Sequence, residues 1–296
     1  MSSQITTAFV QQYSANLQHL SQQKGSRLRG LVRVEAVRGK QAFFDQIGSQ
    51  SASVRTTRAA DTLLNDTPHS RRMVTLADYE VADLIDDQDK LRMIVDPTSS
   101  YAQAQAFAIG RSMDDVIITA ATGDAKTGET GGTTTALPAG QKVAVTLRDT
   151  GSGSTGLNIA KLRQAKYLMD NNDVDPSIPR VIVVGPKQIQ DLLAETSVTS
   201  SDFNTVKALV QGEINTFMGF TFVTSTRLSL NSGTDVRTCF AYAVDGITLA
   251  VAKDLTVRID ERPDKGYAVQ VYACMSIGGT RMEEEKVVEI PCDESP

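Results

Sequence analysis

Residues 99–123, SSYAQAQAFAIGRSMDDVIITAATG, have the strongest helical pattern in the sequence. Ser99 or Ser100 can cap the N-terminus of a helix, alanine fills many positions, and Gly123 stands where glycine commonly ends a helix. At about 1.5 Å per residue, some 23 residues would reach roughly 35 Å. Globular helices average only about 11–12 residues. We therefore predict a helix over about 99–122 that serves as the spine of a whole domain.

The chain before this helix is polar. Residues 46–72, QIGSQSASVRTTRAADTLLNDTPHSRR, contain only four large apolar side chains, those of Ile47, Val54, Leu63 and Leu64. Such a segment cannot bury enough surface to offset the entropy that it loses on ordering. Long connections of this kind are usually functional or disordered. Residues 73–97 follow and are dense in acids, a pattern that is most often a solvated helix face.

Two further elements are predicted near the N-terminus. Residues 4–23 carry apolar side chains at spacings of three and four, which predicts an amphipathic helix that ends at Gly25. Residues 31–37, LVRVEAV, alternate apolar and polar side chains and predict a strand.

On the C-terminal side, a Gly/Thr-rich connection at 123–140 leads into alternating strand and helix patterns. We predict strands at 143–149, 181–184 and 219–226 and helices at 157–172, 186–195 and 200–212. The apolar run at 181–184 is unbroken, which indicates a strand covered on both faces. Residues 141–245 therefore form a predicted α/β unit. From Cys239 onward the patterns are almost entirely those of strands, with hairpin-like turns at Asp245-Gly246 and at 264–266.

Composition places the chain among folded proteins. Its 296 residues are 41% hydrophobic and 22% charged, close to the averages for one large domain or two ordinary ones. No apolar run approaches 18 residues, so no membrane-spanning helix is expected, and no secretory signal pattern precedes the first strand. Cys239, Cys274 and Cys292 are odd in number and widely spaced, which favours reduced thiols in a cytoplasmic setting.

Charge is segregated along the chain. Residues 1–60 contain eight lysines and arginines against two acids, whereas residues 254–296 contain ten acids against five bases. The basic segment could meet nucleic acid or the acidic face of another copy. Nucleic-acid binders usually cluster their bases and add aromatic side chains. Here the bases are spread out, so contact between subunits is favoured.

Patterns typical of catalysis or cofactor binding are incomplete. Residues 123–130, GDAKTGET, resemble a phosphate loop, but Glu129 stands where lysine is needed and a helix rather than a strand precedes it. Residues 170–175 lack the glycine and the final glutamate of a calcium loop. The two histidines, His19 and His69, have no ligand at metal spacing. No enzyme activity, cofactor or metal is predicted.

The order of these elements resembles that of the major capsid proteins of tailed bacteriophages with the Hong Kong 97-type fold. FAIGRSMDDVIITAATG at 107–123 is similar to the spine helix of that family. VIVVGPKQIQDLL and INTFMGFTFVTSTRL, at 181–193 and 214–228, resemble its A-domain signatures. Residues 267–290, YAVQVYACMSIGGTRMEEEKVVEI, resemble its closing strands, in which a Gly-Gly/Ala-x-Arg turn precedes a Val-rich strand. The resemblance covers nearly the whole chain.

The resemblance implies an α+β fold with four named parts. Residues 1–42 would be an N-terminal arm, and 43–78 an E-loop, an extended two-stranded arm that lies over a neighbouring subunit. The P-domain would comprise 79–142, with the spine helix, and the return strands at 246–296. Residues 143–245 would be the A-domain, which meets other copies at five-fold and six-fold centres.

The implied function is that of a structural protein, which assembles with many copies of itself, as hexamers and pentamers, into the icosahedral head of a phage. That shell would enclose double-stranded DNA, contacted non-specifically on its inner face, and would form in the bacterial cytoplasm without a membrane. A portal and a decoration protein are implied partners. A fused scaffolding extension is absent, which suggests a separate scaffolding protein. Some members cross-link the E-loop through a lysine, but residues 46–75 contain none, so that chemistry is not expected.

Contacts between subunits are expected where the basic arm meets acids of the P-domain. The expected residues are Arg55, Arg58, Leu63, Leu64, Arg71, Arg72, Asp83, Asp86, Asp87, Glu283 and Glu284. The bland alternative is that these are ordinary solvated side chains. Two other functions stay open: the shell of an encapsulin-type bacterial compartment, which shares the fold, and a nucleotide-using α/β enzyme built on residues 141–245.

Overall fold

A computed structural model describes residues 20–58, 61, 64–86, 98–149, 151, 153–194 and 216–295. In these ranges the helices are α1 (Thr98–Thr122), α2 (Ile159–Asn171) and α3 (Pro186–Ala194). The strands are β1 (Arg33–Ala36), β2 (Gln41–Ile47), β3 (His69–Thr75), β4 (Ala77–Ile85), β5 (Ala125–Thr127), β6 (Thr133–Thr135), β7 (Arg180–Val184), β8 (Thr216–Phe217), β9 (Phe220–Thr224), β10 (Leu230–Asn231), β11 (Val236–Ala243), β12 (Ile247–Arg262), β13 (Ala268–Arg281) and β14 (Val287–Asp293). No helix of the described ranges is long and apolar enough to cross a membrane.

The chain divides into two compact units. The first unit comprises Met1–Ser26, Asp78–Ser112 and Lys253–Ser276, and the second comprises Arg27–Ala77, Met113–Ala252 and Ile277–Pro296. The predicted spine helix is present as α1, with bounds that match the prediction to within one residue. Its residues up to Ser112 belong to the first unit and those from Met113 to the second.

In the first unit, strands β12, β13 and β4 are neighbours in that order. The buried Gln105 of α1 donates from Nε2 to the Asp83 carboxylate at 2.9 Å and to the carbonyl of Val271 at 3.0 Å. One amide therefore joins the helix to β4 and to β13. Because a buried amide without partners is costly, this side chain fixes the position of the helix on the sheet.

The acidic residues 77–85 form strand β4, so the prediction of a solvated helix face is wrong there. Along β4, Tyr79 and Val81 are half-buried and Ile85 is buried, while the residues between them are exposed. This period of two is that of a strand, and strand β13 supplies the hydrogen bonds. Residues 87–97 of the acidic run lie outside the described residues.

The second unit contains a sheet in the order β10-β11-β7-β9-β8, with β14 paired to β11. Strand β7 runs parallel to β9, and all five of its residues are buried, which confirms the strand predicted at 181–184. Helix α2 begins after Asn158, whose side chain accepts from the backbone of Lys161 at 2.9 Å, and packs against β14. Lys161 is buried, and its Nζ donates to the carbonyls of Thr155 and Pro291 at 2.6 and 2.7 Å.

Strand β1 confirms the strand predicted at 31–37. It runs parallel to the segment of β12 from Thr248 to Val251. The helix predicted at 4–23 falls mostly outside the described residues, and residues 20–23 are not helical. The helix predicted at 200–212 lies outside them as well.

Three predictions at the level of elements are wrong. Residues 143–149 form no strand, because the chain makes one bridge between Lys142 and Glu289 and then turns, with the Leu147 amide bonded to the Ala144 carbonyl at 3.1 Å. The turn at Asp245-Gly246 does not close a hairpin, since β11 and β12 belong to different sheets. The Gly/Thr-rich connection at 123–140 contains paired strands, β5 and β6.

Candidate assembly interface

The polar segment 46–72 has strands at both ends. Strands β2 and β3 pair in antiparallel register from Gln41–Thr75 to Ile47–His69. Strands β5 and β6 extend this hairpin into a sheet with the order β2-β3-β5-β6. Several backbone ladders together hold a hairpin that would be marginal alone. We call this sheet the arm base.

One cross-strand pair stiffens the arm base. Asp45 lies directly opposite Arg71, whose Nε and Nη2 donate to its two carboxylate oxygens at 2.5 and 3.2 Å. These hydrogen bonds hold the pKa of the Asp45 carboxyl below its usual value. The Arg71 guanidinium also lies 5.5 Å from the centre of the Phe43 ring, a distance typical of a cation–π contact.

A buried cluster of charges anchors the arm base to the closing strands. Arg72 Nη2 lies 2.6 Å from Glu284 Oε2, and the two side chains are 8% and 13% exposed. Arg281, which is fully buried, lies 3.7 Å from the other carboxylate oxygen of Glu284. A carboxylate between two guanidinium groups offsets part of the desolvation that each charge suffers. Burial lowers the pKa of Arg281.

Arg281 also caps the spine helix. Its Nη1 donates to the carbonyls of Ala121 and Gly123 at 3.0 and 2.7 Å, and its Nη2 donates to Thr135 of β6 at 3.2 Å. Carbonyls at the C-terminus of a helix have no partner within it, and a cation satisfies them. One guanidinium therefore joins the end of α1, strand β6 and Glu284.

Two glycines, Gly278 and Gly279, allow this approach; the Gly-Gly-Thr-Arg segment was expected to form a turn, but it is the end of strand β13. A Cβ on Gly278 would lie 2.5 Å from the carbonyl oxygen of Thr75, and a Cβ on Gly279 would lie 3.0 Å from Ala120 Cβ on the spine helix. Strand β13 therefore lies close to the end of β3 at Gly278 and close to α1 at Gly279. Any side chain at these positions would push the backbones apart.

Beyond the arm base, residues 48–68, which we call the arm tip, form neither helix nor strand in the part that the structure describes. The amide of Gly48 bonds to the carbonyl of Pro68 at 2.8 Å. Side chains then bridge residues 48–51 and 65–68, with Asn65 Nδ2 bonded to the carbonyl of Ser51 at 2.8 Å and Gln50 bonded to Thr67. These two segments therefore run side by side, and no backbone ladder joins them among the described residues.

The apolar side chains of the arm are exposed. Leu64 is 92% exposed, Val54 86% and Ile47, at the end of β2, 72%. The described part of this segment thus has no core of its own, in agreement with the expectation from its composition. Large apolar side chains that share a protruding segment are typical of surfaces that another protein covers.

Among the residues predicted for subunit contacts, the structure brings Arg72 and Glu284 together within one chain. Arg55 and Arg58 are exposed in the arm tip, where Arg55 Nε donates to the carbonyl of Thr57 at 3.2 Å. Arg71 contacts Asp45 and Phe43, and its Nη1 donates to the carbonyl of Glu129 at 3.4 Å. Leu63 and Asp87 lie outside the described residues.

The remaining acids differ in their surroundings. Asp83 is exposed and accepts from Gln105, and Asp86 is exposed at the end of β4. Glu283 pairs with Lys286 at 3.3 Å. Glu284 is largely buried, because it pairs with two arginines. The sequence analysis missed Arg281, although it had noted the Gly-Gly-Thr-Arg motif that contains it.

The geometry of the arm base does not suit nucleotide chemistry. The segment that resembled a phosphate loop forms β5, a turn and β6, whereas a phosphate loop needs its glycines to lead into a helix N-terminus. No group of three or more His, Cys, Asp or Glu side chains that could hold a metal ion occurs among the described residues.

The described residues thus combine a long helix, a hairpin of β2 and β3 that carries the arm tip, and an α/β sheet. The chain belongs to the family of phage capsid proteins, because the family model described as "Phage capsid protein" matches residues 5–294. It is a structural protein of the shell of a phage head.

Solved capsid structures share the fold of the whole chain. The capsid of cyanophage P-SCSP1u has a TM-score of 0.76 at 18% identity, over 100% of this chain and 96% of that one. The protein from Mycobacterium phage Che8 has a TM-score of 0.70 at 18% identity, over 95% and 96%. The capsid of cyanophage Pam1 has a TM-score of 0.72 at 14% identity, over 97% of each chain.

These likenesses confirm the mixed helix-and-strand capsid fold that the sequence predicted. No curated protein sequence matches the chain. The four-part division into N-terminal arm, E-loop, P-domain and A-domain stays a prediction.

Proposed function

We propose that the arm tip, residues 48–68, lies on a neighbouring copy and that this contact drives closure of the shell. The observation that carries the proposal is the exposure of Leu64 and Val54, with Ile47 at the end of β2, on a segment whose described part has no core of its own. The arm becomes ordered on assembly, and the surface that it buries on a second copy offsets the conformational entropy that it loses.

The energy available from such a contact is modest for each subunit. Burial of a side chain such as Leu64 or Val54 contributes about 1.5–3 kcal/mol. A single contact of this size does not hold two proteins together, since association itself costs several kcal/mol. In a closed shell every copy gives one arm and receives another, so weak contacts add up around the symmetric assembly.

The charges of the arm divide into two groups. Arg71 and Arg72 are held by Asp45 and Glu284 of the same chain, so we assign them to the arm base. Arg55 and Arg58 are exposed on the tip, and we propose that they, with Leu63 and Leu64, meet the neighbour. Their proposed partners are the acids Asp83, Asp86 and Asp87. Glu283, paired with Lys286, is a weaker candidate.

The remaining parts of the proposal concern content and assembly. The shell encloses double-stranded DNA, which meets its inner face through non-specific contacts, and subunits join it in the bacterial cytoplasm as pentamers and hexamers. A separate scaffolding protein and a portal take part, and a decoration protein is a further partner. The capsid family and fold favour a purely structural role without enzyme activity.

Replacement of the arm tip tests the proposal. Residues 49–68 are exchanged for Asn-Gly-Thr, so that a type I′ turn at Asn-Gly can close the hairpin on Gly48, and threonine supplies the N–H that Pro68 lacks. The shortened chain keeps the arm base and should unfold within about 1 kcal/mol of the parent. It should fail to form closed particles in cells that also produce the scaffolding protein, as seen by electron microscopy of negatively stained lysates.

A matched variant, Leu64→Ser, leaves the length of the arm unchanged and should reduce the yield of particles without changing the stability of the subunit. Closed particles from the shortened chain would contradict the role of the arm tip in assembly. Loss of subunit folding would contradict the claim that the subunit folds without the arm tip. The parent particles also separate phage heads from bacterial compartments, because a phage head should contain nuclease-protected DNA.

A further inference from the structure

A row of reactive side chains crosses one face of the first unit. Lys253 of β12 places Nζ 2.9 Å from the sulfur of Cys274 on β13. Tyr272, two residues before Cys274, donates its hydroxyl to Glu80 Oε2 of β4 at 3.0 Å. Residues 272 and 274 share a face of β13 because side chains alternate along a strand. An amine, a thiol, a phenol and a carboxylate therefore stand side by side on three neighbouring strands.

The surroundings of Cys274 favour the thiolate. The hydrogen bond from Lys253 lowers the pKa of the Cys274 thiol. The bond to Glu80 raises the pKa of Tyr272 to about 12, so the phenol keeps its proton and can donate it. Thiolates react with peroxides much faster than thiols do, and partly exposed thiols near cations are the typical sites of oxidation.

The two partners differ in exposure. Lys253 is exposed, whereas Cys274 is buried and retains 8% of its surface. Cys239 and Cys292 are fully buried on β11 and β14 of the second unit. Burial, together with the contact between the two sulfurs, raises the pKa of Cys239. The surroundings of the three cysteines thus differ in the two properties that decide reactivity.

We propose that Lys253 and Cys274 form a covalent sulfur–nitrogen link when the protein meets hydrogen peroxide. The thiolate attacks one peroxide oxygen and the O–O bond breaks, which leaves Cys274 as a sulfenic acid. The leaving hydroxide takes a proton from the Lys253 ammonium, which gives water and a neutral amine. Lys253 Nζ then attacks the sulfur, the S–O bond breaks, and a second water departs with a proton from the nitrogen. The thiol and the amine lose one hydrogen each, and peroxide is reduced to two molecules of water.

The nucleophile next to the sulfenic acid is therefore the Lys253 amine, because it already contacts the sulfur. Sulfenic acids condense with nearby nitrogen or thiol nucleophiles, and reacting atoms about 3–3.5 Å apart need little further ordering. The link would join two neighbouring strands, β12 and β13, of the same sheet. It would be reversed by excess thiol, which returns the amine and the thiol.

The test uses the full chain, treated with hydrogen peroxide near neutral pH, digested without reductant and analysed by peptide mass spectrometry. We expect a linked pair of peptides that contain Lys253 and Cys274, lighter than their sum by about 2 Da, and its disappearance after treatment with dithiothreitol. Lys253→Arg keeps the positive charge but removes the amine. It should yield at least about tenfold less linked peptide and a sulfenic acid at Cys274 that dimedone traps instead.

Two controls make the result specific. Lys265→Arg, at the turn between β12 and β13, changes a lysine that does not contact the sulfur and should leave the yield of the link unchanged. Cys274→Ser should abolish it. The proposal is overturned if peroxide converts Cys274 of the parent chain to a sulfenic or sulfinic acid while Lys253 stays unmodified. It is equally overturned if Cys274 reacts no faster than the buried cysteines.

Discussion

At the scale of single residues, Arg281 is the side chain with the most demanding position. It is fully buried, yet it satisfies the carbonyls that end the spine helix, one carbonyl of β6 and a carboxylate shared with Arg72. Its planar guanidinium presents five N–H donors in a fixed geometry and so reaches acceptors on several elements at once. Arg281 therefore links the C-terminus of α1, strand β6 and the ion pair of Arg72 with Glu284.

Removal of Arg281 should destabilise the subunit strongly. Arg281→Met leaves the carbonyls of Ala121 and Gly123 buried without a donor, and we expect a loss of about 3–5 kcal/mol in the free energy of unfolding in urea. Arg163→Met is the matched control, since Arg163 forms an exposed pair with Asp149 and should cost less than about 1 kcal/mol. Equal effects of the two variants would show that the cap contributes nothing.

Glu294 predicts how stability responds to acid. It accepts from Arg237 Nε and Nη2 at 2.5 and 2.9 Å and from Gln188 at 2.8 Å. The bonds from Arg237 lower the pKa of Glu294 in the folded chain below its ordinary value of 4.5. The folded state then binds this proton less readily than the unfolded state, so the stabilisation is complete above the unfolded-state pKa and is lost as the pH falls through the folded-state pKa.

Glu294→Gln should therefore lower stability near neutral pH and make the decline from about pH 6 to 3 shallower than in the parent. Urea unfolding at a series of pH values measures both effects. Parallel curves for the variant and the parent would contradict this role of the carboxylate.

At the scale of elements, sequence patterns correctly predicted the helices and strands that short-range interactions determine. Caps, apolar spacing and apolar runs predicted the spine helix α1, the helices α2 and α3, and the strands β1, β7 and β9. Residues 77–85 were misread because acids that face solvent have the same composition on a helix and on a strand. Strands β5 and β6 were missed because Gly/Thr-rich residues pair only when β3 offers a free edge, which no local pattern shows.

The approach of β13 to its neighbours gives a prediction for this scale. Gly278→Ala places a Cβ 2.5 Å from the carbonyl oxygen of Thr75 and 2.7 Å from Val74 Cγ1. The backbones must separate, and we expect a loss of about 1–3 kcal/mol in the free energy of unfolding. Gly30→Ala is the control, because nothing lies within 4 Å of the added Cβ there, and it should change stability by less than about 1 kcal/mol. Similar values for both would contradict the close approach.

At the scale of the whole molecule, the candidate interface was only partly predictable. Composition indicated that the segment has no core of its own, because it contains only four large apolar side chains. It did not show that Arg72 and Glu284 pair within the chain, since no local pattern shows which residues distant in sequence meet. Arg55 and Arg58 are exposed in the described part of the arm tip, and their contact with a neighbour stays a prediction.

Charge reversal on the arm tip tests the proposed contact at this scale. The double variant Arg55→Glu and Arg58→Glu should raise the subunit concentration needed for assembly by roughly tenfold or more, because each copy then meets an acidic neighbour with like charge. Light scattering during assembly measures this concentration. The charge-preserving double variant Arg55→Lys and Arg58→Lys should assemble almost as well as the parent, and parent assembly should weaken as salt screens these pairs.

The contrast between arm base and arm tip has a mechanical consequence. Four hydrogen-bonded strands resist bending, whereas among the described residues the tip beyond Ile47 and His69 makes one backbone hydrogen bond across the arm, between Gly48 and Pro68, and a few side-chain bridges. We therefore expect the arm to bend next to Gly48 and Pro68. If the arm tip lies on a neighbouring copy, as proposed, one sequence can then fit neighbours at different tilts without deforming the rest of the subunit.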